Sequence, residues 1–95
     1  MKLEQAFAIV RHVVDDAPEP VSVYVVDGAG EVVAAAATDG AAAETRADAK
    51  RKALAVEVGA YDRHGRIGAV GVSGPADADA RASAAIEAAG LRAAT

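Results

Sequence analysis

The chain has 95 residues, ten Lys and Arg against fourteen Asp and Glu (net charge −4), one Phe, two Tyr and no Cys. That balance excludes the basic footprint and aromatic platforms of a nucleic-acid binder, and the missing cysteine excludes disulfides, thiolate metal sites and a cysteine nucleophile. No apolar run approaches the about 18 residues of a membrane span and no basic-then-apolar leader is present, so no membrane partner and a cytoplasmic location are expected.

The length suits one domain, residues 1–95. Its core is thin, because 27 of the apolar residues are alanine and each removes little area from water. Burying further surface in a symmetric homo-oligomer is the expected remedy.

In chain order, LEQAFAIVRHVV (3–14) places Leu3, Phe7, Val10 and Val14 at helical spacing, one apolar stripe. Pro18 and Pro20 end that helix. VSVYVVD (21–27) reads as a well-buried strand, Asp27-Gly28-Ala29-Gly30 as a hairpin turn and EVVAAAAT (31–38) as the returning strand. After a turn at Asp39-Gly40, residues 41–54 form a helix on propensity, with an Asp48–Lys52 pair at i,i+4. AVEVGAY (55–61), a turn at 63–65 and RIGAVGVS (66–73) give a second hairpin, and Pro75 to Leu91 a last Ala-rich helix. The order α-β-β-α-β-β-α predicts an α+β fold: an antiparallel sheet of about four to five strands with flanking helices, in profilin-like α/β/α layers.

The glycine-spaced stretch RIGAVGVSGP (66–75) is the one that invites a chemical reading. It lacks the lysine and hydroxyl of a phosphate loop, and Asp77 and Asp79 already occupy the helix start that a phosphate would need. Gly71-Val72-Ser73-Gly74-Pro75 departs from the nucleophile-elbow pattern, so Ser73 reads better as a helix cap. Gly68 and Gly71 fall on opposite faces of a strand, where missing side chains allow close approach of a helix, a subunit or a ligand. His64 belongs to a hairpin turn. His12, on the first helix, is either a boundary residue or an axial ligand to a haem iron, the one metal role the sequence offers. The cluster Lys50, Arg51 and Lys52 is either a solvated helix end or a contact for an acidic ligand such as a propionate.

These segments also carry a resemblance. VSVYVVDGAGEVVAAAATDGA (21–41), TRADAKRKALA (45–55) and above all RIGAVGVSG (66–74) resemble, in order, the signature segments of the GlcG/HbpS-like family, also called PduO C-terminal-like. The motif positions matched are Asp39, Gly40, Lys52, Gly71, Ser73 and Gly74. The resemblance implies an antiparallel sheet between helices, symmetric oligomers and, in several members, haem. Ala37-Thr38-Asp39 stands where the family carries R-M-D. Only about ten residues separate Val56 from Ile67, where the family places another helix and loop, so the chain reads as a shortened member. The expectation is a small protein binding haem or another tetrapyrrole through His12, Asp39, Lys52 and Ser73. The alternative is a non-catalytic accessory or assembly subunit of a larger enzyme complex that has lost the haem pocket. Catalysis by Ser73, Lys52, His12 and Asp39 without a cofactor is the least favoured expectation.

Overall fold

A computed structural model describes residues 1–18 and 20–95 of the chain. Helix α1 (Leu3–Asp16) leads into the hairpin β1 (Ser22–Asp27) and β2 (Val32–Ala37); α2 (Ala43–Leu54) connects to the hairpin β3 (Gly59–Asp62) and β4 (Gly65–Ser73); α3 (Ala78–Ala88) and a short β5 (Arg92–Ala94) follow. The sheet order is β2-β1-β4-β3-β5, with every pairing antiparallel. Helices α1 and α3 pack on one face, α1 over β1 and β2 and α3 over β4 and β5, while α2 packs mainly on β1 and β4. The fold is α+β with a five-stranded antiparallel sheet between helix layers, as the element order predicted.

Alternation along the central strands fills two cores. Val23, Val25, Val70 and Val72 join Ala6, Ile9 and Val13 of α1 and Ala82, Ala85 and Ile86 of α3. Val26 and Ala69 meet Ala53 of α2 on the opposite face. Here Gly71 shows why a glycine is needed. A Cβ at that position would run into the Ala49 carbonyl oxygen and stand 2.7 Å from the Ala53 nitrogen, so the glycine lets α2 lie directly on the sheet.

Four expectations need correction. The apolar stripe of α1 only borders the face the sheet buries: Ala6, Ile9 and Val13 enter the core and Val10 and Val14 pack partly against it, whereas Leu3 and Phe7 are 53% and 58% exposed. The strand expected over 55–61 begins only at Gly59. Residues before it close α2, with the Val56 N–H on the Ala53 carbonyl (3.1 Å) and the Glu57 N–H on the Lys52 carbonyl (3.1 Å). This is a Schellman cap with Val56 at φ 55°, a position that normally takes glycine and so leaves no signal when valine fills it.

Helix α3 starts at Ala78 rather than Pro75 and stops at Ala88. Gly90, at φ 82°, donates to the Glu87 carbonyl and Leu91 to the Ile86 carbonyl, and the chain turns back as β5, which pairs with β3. Finally, Ser73 is not a helix cap. It ends β4, and its hydroxyl donates to Asp48 Oδ2 at 2.8 Å.

Candidate functional site

The four site residues expected from the sequence do not converge. Lys52 and Ser73 lie together on the α2 side of the sheet. Their hub is Asp48, which accepts from Ser73 through Oδ2 and from Arg51 through Oδ1 at 2.8 Å. Arg51 in turn reaches Glu57 at 2.8 Å. The Lys52 Nζ donates to the Val72 carbonyl and to Asp79 Oδ1, both at 3.1 Å, and stands 3.9 Å from Asp48 Oδ2, its side chain 17% exposed. The predicted i,i+4 pair is therefore the longest of these contacts. Asp48 is held below the usual carboxylate range, first by the hydrogen bond from Arg51 and then by that from Ser73.

This cluster ties α2 to the end of β4 and to the first turn of α3. Lys52 spends its hydrogen bonds inside the fold, and each carboxylate oxygen of Asp48 accepts one. Beside it Ser22, opposite Ser73 across the sheet, has a buried hydroxyl without a partner among the described residues. Asp39 sits apart, exposed in the β2–α2 turn.

His12 is on the other side of the sheet. Half-buried on α1, it lines a cleft of about 310 Å³ between α1 and α3 with Val13, Asp16, Asp77, Ala80, Arg81 and Ala84. It also borders a second hollow of about 420 Å³ with Ala8, Arg11, Asp15 and Ala88. Arg81 crosses the seam: its Nε donates to Asp77 at 2.8 Å and its Nη1 to the Asp16 carbonyl at 3.0 Å. No single ligand touches both His12 and the Lys52–Ser73 pair. Sequence spacing could not place Arg81 beside His12, because the two come together only through α1–α3 packing. No group of three His, Asp or Glu side chains suited to a metal ion occurs among the described residues. His64 is exposed in the β3–β4 turn, accepting from Arg63 Nε at 3.2 Å.

No family model matches the sequence, and no curated protein matches it. Among solved structures the chain is similar to Streptomyces reticuli HbpS, crystallised as a double glutamate-to-aspartate variant. The TM-score is 0.75 at 22% identity, over 94% of this chain and 84% of that one. The fold is that of HbpS. At this identity the likeness establishes the HbpS-like architecture and leaves each side chain to be argued on its own contacts. No helix among the described residues is long and apolar enough to cross a membrane.

Proposed function

We propose that the chain is a small HbpS-like haem-binding protein that works as a homo-oligomer, with His12 as the iron ligand. What carries this is the position of His12 on an HbpS fold, whose structural neighbour is named for binding haem. Its imidazole stands at the seam of two adjoining hollows rather than inside the core. Exposed Ala8, Ala80, Ala84 and Ala88 flank it and supply the apolar contact a planar macrocycle would use, with Arg11, Asp15, Asp16, Asp77 and Arg81 sharing the lining. These residues fit a surface-seated haem, open to solvent on one side, and not an enclosed one.

Haem bound there would supply redox and small-ligand chemistry at iron. His12 would hold the iron and the exposed alanines would give the group its apolar contact, while Arg81, paired with Asp77 and the Asp16 carbonyl, would have to exchange a partner to meet an acidic substituent. Lys52 and Ser73 then serve the fold, and Asp39 lies outside the seat. Titration of the protein with hemin, followed in the Soret region, is the test. A saturable shift abolished by His12→Ala and retained by His64→Ala supports the assignment; a titration indifferent to His12→Ala removes it.

An accessory or assembly role is the second reading, and the exposed apolar stripe of α1 favours it. It predicts no saturable Soret change together with stable association of the chain.

A further inference from the structure

The stripe Leu3–Phe7–Val10–Val14 is the strongest helical signal in the sequence, yet Leu3 and Phe7 are exposed and Val10 and Val14 are only partly buried at the edge of the core. Phe7, Val10 and Val14 border an open hollow of about 390 Å³ with Arg11, Asp15 and Ala36 of β2. Next to it runs β2, an edge strand whose sequence, VVAAAA, has no charge, proline or lysine. Natural edges normally carry such residues to prevent pairing with another chain. Val32 on this strand is 46% exposed. Helix stripe and bare edge form one border along the same side of the molecule, meeting where Phe7, Val10 and Val14 share a hollow with Ala36, because α1 packs over β1 and β2. Surfaces of this kind mark association sites.

We propose that this border is a two-fold interface with a second copy of the chain. The pattern of α1 selects that occupant because it is complementary to itself. In an antiparallel helix pair, Leu3 faces the partner's Val14 and Phe7 the partner's Val10, so the four stripe residues map onto the same four. The same arrangement brings Glu4 alongside the partner's Arg11 on the solvent side of the contact. Both are exposed, and neither has an ion-pair partner within the described residues. A two-fold axis normal to the sheet also sets β2 antiparallel to the partner's β2, offering its unpaired backbone groups the strand they lack. His12 and Phe7 lie on either side of Arg11 and Asp15, which line both the hollow beside His12 and the one beside Phe7.

The inference rests on the oligomeric part of the proposed function and specifies its contact. Sedimentation equilibrium of the full chain over a concentration series tests it. The wild type is expected to be a dimer of 9.5 kDa subunits or a higher assembly of such dimers. Phe7→Asp is expected to raise the dimer dissociation constant at least about 30-fold, as loss of a central aromatic contact does. Because Phe7 is exposed in the monomer, the far-ultraviolet circular dichroism of the variant should be unchanged. Leu54→Asp, at an exposed apolar residue of α2, should leave association intact. Glu4→Lys and Arg11→Glu should each weaken it, and the double exchange should restore it. A wild type that stays monomeric overturns both the oligomer and its interface. An assembly that survives Phe7→Asp overturns the interface alone, and neither result bears on the Soret titration.

Discussion

The main chain of Ala49 in α2 rests on Gly71 of β4, with no room for a Cβ between them. Both neighbours are backbone atoms, which cannot swing aside as a flexible side chain would. Gly71→Ala must lift α2 off the sheet, and overpacking of this kind costs about 2–3 kcal/mol. In a chain of this length the melting temperature should fall by roughly 10 °C or more. Thermal unfolding followed by circular dichroism checks it.

Lys52 joins three elements through the Val72 carbonyl and Asp79. Lys52→Met keeps the apolar stem and removes both bonds, an expected loss of about 1–2 kcal/mol. The hemin titration of the same variant should be unchanged, since Lys52 and His12 lie on opposite faces of the sheet. A propionate contact at Lys52 would instead weaken binding.

Asp48 gives the fold a pH dependence whose sign follows from its lowered pKa. Its ionised form is preferred in the folded state, so this contribution is complete above the unfolded carboxylate pKa, near 4. It is lost as pH falls through the lower folded value. The stability difference between wild type and Asp48→Asn should therefore be constant around neutrality and narrow on acidification below about pH 4. Urea unfolding at a series of pH values measures it; a gap that widens in acid contradicts the assignment.

Ser22 is the converse case, a buried hydroxyl with no partner among the described residues. Removing an unsatisfied group costs no hydrogen bond and spares its desolvation. Ser22→Ala should be neutral or stabilising by up to about 1 kcal/mol, whereas Ser73→Ala, which removes one of the two hydrogen bonds that Asp48 accepts, should destabilise. Parallel urea melts of the two variants compare them directly.

The architecture was legible in the sequence wherever periodicity and turn chemistry agreed. The alternation in VSVYVVD, the Asp27 turn and the glycine spacing of RIGAVGVSG placed the central strands. Gly71 proved to mark a helix contact rather than a ligand. Elements set by other means were missed. Val56 fills a left-handed cap where only glycine would have announced the end of α2, and three-residue β5 is too short to show a period. The stripe of α1 misled for a physical reason: alanine at position 6 buries as well as a larger residue when the sheet lies close, leaving Phe7 for the outside. Ser73, Lys52 and Asp39 stood out as motif positions, but motif spacing says nothing about which face of the sheet a side chain serves. That separation from His12 became visible only with the α1–α3 seam.

Hemin binding by wild type and His12→Ala, read as the Soret spectrum at matched protein concentration, tests the central claim most directly. The account predicts a saturable Soret shift for the wild type and its loss in the variant, with both proteins equally folded. Equal spectra for the two, or no saturable shift in the wild type, would contradict it.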